Sequence, residues 1–105
     1  MNKRLAMLEN LTRDGRADAF AWYGLAMEYR REGRPEDAMR AFEQLRDRHP
    51  EYLPMYLMAG QVLLANKTPG DARPWLEAGE SLAAERGDDK TLAEIREALA
   101  ECDGF

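Results

Sequence analysis

Cysteine and β-branched residues are scarce in this chain. Cys102 is the only cysteine among 105 residues, so no disulfide can form within the chain, and a reducing cytoplasm is the expected location. Val and Ile occur once each, whereas Ala, Leu, Glu and Arg are frequent. Because β-branched side chains lose rotamer freedom in a helix and the frequent residues lose little, the composition favours helix almost everywhere.

Long apolar stretches are also missing. The longest uncharged and mainly apolar run covers 52–65 and contains Pro54. A helix that crosses a bilayer needs about 20 apolar residues, so we expect no membrane span. Glu9 interrupts the first segment where a secretory signal needs a continuous apolar stretch, so we expect no such signal.

The chain has no excess of positive charge. Its formal net charge is −5; residues 1–48 carry ten Lys and Arg against nine Asp and Glu, and residues 49–105 carry five against eleven. An acidic half repels phosphate backbones, so nucleic acid is not an expected partner. We interpret the acidic faces of the last two helical segments as solvated surface, with a basic partner as the alternative.

No group of residues typical of catalysis or metal binding is present. His49 stands alone before Pro50, and Cys102 has no Cys or His at the spacing of a metal site. The glycines are isolated, unlike those of a phosphate-binding loop. Asp88 and Asp89 are interpreted as a helix cap. We therefore expect no enzymatic activity, no cofactor and no metal.

Apolar periodicity and turn residues predict six helical segments. Asp18 is a predicted N-cap of the second segment, and Pro35 suits the first position of the third. Thr68 and Asp71 are spaced like a capping box for the fifth segment. Pro74 inside that segment would cost about 3 kcal/mol, so we expect its regular helix to begin two or three residues after Pro69.

The chain repeats itself at an interval of 34 residues. Residues 34–38 read RPEDA and residues 68–72 read TPGDA, so Pro, Asp and Ala recur at the same spacing. Helix pairs that recur at a fixed interval are typical of a helical solenoid, in which each pair buries its apolar face against its neighbours.

Residues 19–52 resemble the tetratricopeptide repeat (TPR) family. The family motif is W-x2-L-G-x2-Y in a first helix, then A-x3-F-x2-A in a second helix, then Pro. The residues that match are Trp22, Leu25, Tyr29, Ala38, Phe42 and Pro50. Ala26 and Leu45 depart from the motif. In the next 34 residues Gly60 and Ala72 match, whereas Gly79 stands where the family has Ala.

The resemblance implies an all-α fold, a right-handed α-solenoid of antiparallel helix pairs with about six helices. It implies one domain over 1–105, with a leading half-repeat helix at 2–14 and a first TPR motif at 19–52. A second motif at 53–86 and a C-terminal capping helix at 88–102 complete this expected order.

The resemblance also implies a non-catalytic adapter whose first helices line a concave groove for a partner. The groove positions carried over are Phe20, Tyr23, Met27, Arg30, Arg31, Pro54, Leu57, Gln61, Leu64 and Ala65. Some family members hold a C-terminal carboxylate with a Lys and an Asn, but Tyr23 and Met27 occupy those two positions here. The expected groove is apolar with a basic rim, which favours an amphipathic helix or an apolar peptide as the partner.

Two alternatives stay open. The first and last helices can cover Tyr23, Met27 and Leu57, which would then serve only as core. Alternatively, the chain is a self-associating module in which two copies bury their grooves, or the strip Leu53–Leu64, in a homodimer.

Overall fold

The computed structural model describes residues 1–104, which contain six helices and no strand. The helices are α1 (Lys3–Arg13), α2 (Ala19–Arg31), α3 (Pro35–Arg48), α4 (Pro54–Ala65), α5 (Pro69–Arg86) and α6 (Asp89–Asp103). The predicted all-α class and the predicted number of helices are confirmed. The chain forms two compact units: the first, Met1–Tyr52, holds α1 to α3, and the second, from Leu53, holds α4 to α6.

The same backbone turn ends four of the helices. After α2, the Arg34 N–H donates to the Tyr29 carbonyl and the Gly33 N–H donates to the Arg30 carbonyl. Gly33 has a φ of 72°, and Lys67, 34 residues later, has a φ of 62° in the equivalent turn after α4. This left-handed cap satisfies the last carbonyls of a helix while it reverses the chain. The turns at Gly15, after α1, and at Gly87, after α5, have the same two backbone hydrogen bonds and the same positive φ.

Side-chain caps begin several helices. The Asp18 carboxylate accepts a hydrogen bond from the Ala21 N–H at 2.8 Å, as predicted. The Asp88 carboxylate accepts one from the Thr91 N–H at 3.1 Å. The predicted capping box at Thr68 is wrong, because this hydroxyl donates to the Leu63 carbonyl at 2.9 Å and makes no cap bond to α5. Thr68 therefore closes α4.

The predicted late start of the fifth helix is also wrong. α5 is continuous from Pro69 to Arg86 and contains Pro74. The N–H that Pro74 lacks would have bonded the carbonyl of Gly70, in the first turn of the helix. Both residues are exposed, so water can satisfy that carbonyl and only one bond is lost.

Apolar side chains from all three helices of the first unit form its core. They are Leu5, Leu8, Trp22, Leu25, Ala26, Ala38, Ala41, Phe42 and Leu45. The Arg48 guanidinium lies 5.1 Å from the centre of the Trp22 ring, a cation–π contact at the edge of this core.

Close helix contacts shape the second unit. A Cβ added to Gly60 would overlap the Leu76 side chain, and one added to Gly79 would lie 2.7 Å from the Cβ of Tyr56. These two glycines therefore let α4 and α5 approach closely. α6 adds Ile95 to the same core.

Across residues 1–104, no helix combines the length and the apolar character that crossing a membrane requires.

Candidate functional site

One face of α2 carries a row of partly exposed apolar side chains. Phe20, Tyr23 and Met27 are spaced three and four residues apart, and Arg30 and Arg31 follow one turn later on the same face. We call these five residues the α2 stripe. The Phe20 side chain is 68% exposed, and Tyr23 and Met27 are half-buried. The α2 stripe thus offers apolar surface that ends in two cationic side chains.

Packing from beneath fixes the middle of the α2 stripe. The Tyr23 ring centre lies 6.4 Å from that of Phe42 and 5.4 Å from that of Tyr52, with tilted rings in both pairs. Phe42 is fully buried, so it holds one side of the Tyr23 ring in place. Burial, and then the neighbouring Tyr52, raise the pKa of Tyr23 above its ordinary value, while Arg30 opposes that rise. The Tyr23 phenol is therefore neutral at physiological pH.

The C-terminal end of the stripe presents positive charge to solvent. Arg31 is exposed and makes no ion pair with any residue in the described range 1–104. Other arginines of the first unit are paired: Arg4 Nε lies 3.2 Å from a Glu28 oxygen, and Arg34 Nε lies 2.8 Å from an Asp37 oxygen. The Arg31 charge therefore remains available to a partner.

Polar contacts hold α1 on the neighbouring face of α2. Glu28 is only 8% exposed, and it accepts a hydrogen bond from the Asn2 amide at 3.0 Å in addition to its ion pair with Arg4. The Tyr29 hydroxyl donates to Glu9 at 2.5 Å. Burial and this hydrogen bond raise the pKa of Tyr29 to about 12. α1 therefore covers the face of Glu28 and Tyr29 and leaves Phe20 exposed.

Sequence reasoning missed this second set of contacts. The α1-side partners of Glu28 and Tyr29, namely Asn2, Arg4 and Glu9, lie 20 or more residues away along the chain. Local spacing cannot reveal such pairs. The only signal was a glutamate in the middle of an apolar helix, which suggests a buried charge with a distant partner.

The predicted site residues of α4 lie in a different environment. Leu57 and Leu64 are 5% and 7% exposed and belong to the core cluster that contains Leu76 and Ile95. Gln61 is half-buried. The structure therefore brings Phe20, Tyr23, Met27, Arg30 and Arg31 together on one accessible face, whereas it places Leu57 and Leu64 inside the second unit.

The other reactive side chains form no site. Cys102 is buried, and burial raises the pKa of its thiol, which keeps it protonated at neutral pH. Nowhere in residues 1–104 do three or more His, Cys, Asp or Glu side chains converge in a way that could hold a metal ion.

Comparison with known proteins identifies the repeat. A family profile described as tetratricopeptide repeat matches residues 23–88. A tetratricopeptide repeat domain protein from Salinibacter ruber, solved by NMR, is 28% identical with a TM-score of 0.77, over 84% of this chain and 89% of that chain. The crystal structure of a tetratricopeptide repeat domain protein from the same organism is 29% identical with a TM-score of 0.76, over 83% and 98%.

A protein from Bordetella parapertussis shares the fold. Its solution structure has a TM-score of 0.82 at 21% identity, and the match covers 98% of this chain and 90% of that chain. No curated protein matches the sequence. These structural similarities confirm the helical-repeat fold predicted from the sequence. The family profile covers more than half of the residues. The chain belongs to the tetratricopeptide repeat family.

Proposed function

We propose that this chain is a non-catalytic adapter that holds an apolar peptide or an amphipathic helix of another protein on the α2 stripe. The family to which it belongs is one of protein-interaction modules and is typically non-catalytic. One observation carries the proposal. Phe20 is a large apolar side chain left 68% exposed, in line with two half-buried apolar neighbours on the same helix face.

The stripe has the length of a short helical contact. Phe20 and Met27 are seven residues apart, which is about 10 Å along a helix at 1.5 Å per residue. A partner helix with apolar residues at positions i, i+3 or i+4, and i+7 presents a row of the same length. Tyr23 is already held by Phe42 and Tyr52, so binding orders few new side-chain rotamers.

Charge at one end favours one direction of binding. The partner should carry a carboxylate beyond its own apolar anchor residues, where it can form an ion pair with Arg31. We place this activity in the cytoplasm, because the single cysteine is buried and unpaired.

Site-specific photo-crosslinking tests the proposal. A photoreactive phenylalanine analogue is placed at Phe20 and, as the matched control, at Ala84, which is exposed on α5 of the second unit. Both variants are irradiated in cells of the source organism, and adducts are identified by mass spectrometry. We expect a covalent adduct with one other protein from position 20 and none from position 84.

Other crosslinking outcomes would contradict the proposal. Equal adducts from both positions would show that the stripe has no special role. Adducts that contain only a second copy of this chain would instead support the homodimer alternative, in which two stripes cover each other.

A further inference from the structure

Gly24 is an interior residue of α2 that the packing of this chain does not require. Glycine disfavours a helix relative to alanine, so a glycine in a helix interior calls for a reason. Gly60 and Gly79 have one, because a Cβ at either would overlap a side chain of a neighbouring helix. A Cβ at Gly24 would find no atom of another helix closer than 3.6 Å, and the φ of this residue is not positive. Neither packing nor backbone conformation therefore accounts for this glycine.

The position of Gly24 connects it with the α2 stripe. The residues at positions i, i+3, i+4 and i+7 of this part of α2 are Phe20, Tyr23, Gly24 and Met27. Four residues at this spacing form the hole that receives a knob side chain when two helices pack together. We call these four residues the α2 hole. All four are at least partly exposed, so the α2 hole is open to solvent, and the absent side chain of Gly24 enlarges it.

The groups around the α2 hole favour an aromatic occupant. Leu8 of α1 closes one side, with its two Cδ atoms 3.6 and 3.7 Å from the point where a Cβ of Gly24 would lie. Nη2 of Arg4 lies 3.9 Å from the same point. Two corners of the hole carry aromatic rings and one carries a thioether. Aromatic rings, thioethers and guanidinium groups all make favourable contacts with an aromatic ring.

Charge specifies a second feature of the occupant. Arg31 follows Gly24 by seven residues, which is two helical turns and about 10 Å along the same face of α2. Glu28 and Glu32 line the same hollow as Arg31, and both accept hydrogen bonds from the Asn2 amide, at 3.0 and 2.9 Å. Arg31 itself is exposed and has no ion-pair partner within residues 1–104. Its guanidinium is therefore available to a carboxylate of a partner.

We propose that the α2 hole receives an aromatic side chain from a helix of the partner protein, and that this helix carries a carboxylate two turns away that pairs with Arg31. The inference rests on the proposed function, since it names the chemistry of the segment that the α2 stripe holds. Gly24 is then a specificity-determining residue, because it admits a ring that a larger side chain at this position would exclude. The helix stability that is lost at Gly24 is the consequence of keeping that room open.

Synthetic helical peptides test the proposal. The probe is an alanine-based peptide of about 15 residues with a central phenylalanine and a leucine one turn away on each side. It has a glutamate two turns away on each side, so that one carboxylate faces Arg31 in either direction of binding. A hydrocarbon staple keeps the peptide helical, because an isolated helix of this length is marginal in water. A second peptide has alanine in place of the phenylalanine. Isothermal titration calorimetry gives Kd, and amide chemical shifts in NMR spectra show which residues are contacted.

Filling the α2 hole should remove the preference for the ring. We expect the wild type to bind the phenylalanine peptide roughly tenfold to a hundredfold more tightly than the alanine peptide. Gly24→Leu should bind both peptides with similar Kd, because its side chain occupies the hole. Gly24→Ala should weaken only the phenylalanine peptide, and by a smaller factor, although its helix is more stable. Gly70→Ala in α5, where a Cβ would meet nothing within 4 Å, is the control and should bind like the wild type.

A charge swap tests the role of Arg31. Arg31→Glu should weaken the glutamate-bearing phenylalanine peptide by about twofold to fivefold, which is what an exposed ion pair contributes. A peptide with lysine in place of both glutamates should show the reverse order and bind Arg31→Glu more tightly than the wild type. Far-ultraviolet circular dichroism of each variant verifies the helical fold.

The contrary outcomes separate this inference from the proposed function. If neither peptide shifts the amide signals of α2 at concentrations up to about 1 mM, the proposed function fails together with the inference. If both peptides bind the α2 stripe of the wild type with equal Kd, only the inference fails. The same holds if a folded Gly24→Leu protein retains the preference for phenylalanine. An Arg31→Glu protein that keeps the wild-type order of the two charge versions would overturn the pairing with Arg31.

Discussion

Two glycines in helix interiors should respond in opposite ways to the same substitution. A Cβ at Gly79 would lie 2.7 Å from the Cβ of Tyr56 and 3.0 Å from Cδ1 of Ile95. A Cβ at Gly24 would lie 3.6 and 3.7 Å from the two Cδ atoms of Leu8 and 3.9 Å from Nη2 of Arg4, all ordinary contact distances. Gly79→Ala is also the change that the family motif suggests, because the family has Ala there. We expect Gly79→Ala to destabilise the protein and Gly24→Ala to stabilise it.

The magnitudes follow from propensity and packing. Alanine is favoured over glycine in a helix by about 1 kcal/mol, at both sites. Carbon atoms prefer a separation of about 3.5–4.0 Å, so α5 would have to move by nearly 1 Å from α4 to admit the methyl group at residue 79. The Tyr56 Cβ is attached to the backbone and cannot rotate away. Overpacking of this kind costs about 1–3 kcal/mol, and the helix propensity of alanine offsets about 1 kcal/mol of that cost, so we expect a net loss of up to about 2 kcal/mol for Gly79→Ala. At Gly24 no overlap opposes the propensity, so we expect a gain of about 0.5–1 kcal/mol.

Urea unfolding monitored by circular dichroism measures both changes. Trp22 lies in the first unit and Trp75 in the second, so tryptophan fluorescence also reports each unit when the other tryptophan is replaced by Phe. A Gly79→Ala protein at least as stable as the wild type would refute the packing argument. Equal destabilisation by both substitutions would show that the cost does not arise from the contact with Tyr56.

Four further predictions concern single residues. Lys67→Gly should stabilise the protein by about 0.5–1 kcal/mol in chemical unfolding, because the φ of 62° at Lys67 favours glycine; a loss of stability would contradict this. Asp88→Ala should destabilise the protein through the lost N-cap, and the loss should become smaller in acid, because the cap bonds lower the pKa of Asp88 and the stabilisation that depends on its charge is lost as the pH falls through that pKa; an undiminished difference near pH 2 would contradict this. Phe42→Ala should cost about 3–5 kcal/mol in the same unfolding assay, and a loss below about 1 kcal/mol would show that the fully buried ring is misplaced. Tyr29 should still be protonated at pH 10.0 and ionise near pH 12, so stability from this group is complete below pH 10.0 and is lost as the pH rises; an alkaline absorbance difference between wild type and Tyr29→Phe centred near pH 10 would contradict it.

Helix boundaries set by local chemistry were predictable from the sequence. The Asp18 cap and the first position of Pro35 depend on neighbouring residues, and the structure confirms both. The Thr68 cap and the delayed start after Pro69 were wrong. The Thr68 hydroxyl donates to the Leu63 carbonyl instead of capping α5. At Pro74, the carbonyl that loses its hydrogen bond belongs to the exposed residue Gly70, so the helix can continue at the cost of one bond.

The residues of the candidate site were predictable only within a helix. The resemblance to the repeat family implied Phe20, Tyr23 and Met27 as groove positions, and their spacing of three and four residues agrees with one face of α2. Register along α4 could not show that Leu57 and Leu64 are buried. Both belong to a core cluster that also contains Ile95 of α6, and the position of α6 cannot be read from the sequence of α4. Contacts between residues distant in sequence decide accessibility, and a helical pattern does not contain them.

The central claim is that the α2 stripe binds the protein partner, and the affinity for the partner captured by crosslinking tests it most directly. Isothermal titration calorimetry would compare the purified partner on wild type, Phe20→Glu and the control Ala84→Glu. Burying a phenylalanine contributes about 1.5–3 kcal/mol, so Kd should rise roughly tenfold to a hundredfold for Phe20→Glu and remain unchanged for the control. An unchanged Kd for a folded Phe20→Glu protein would contradict the claim.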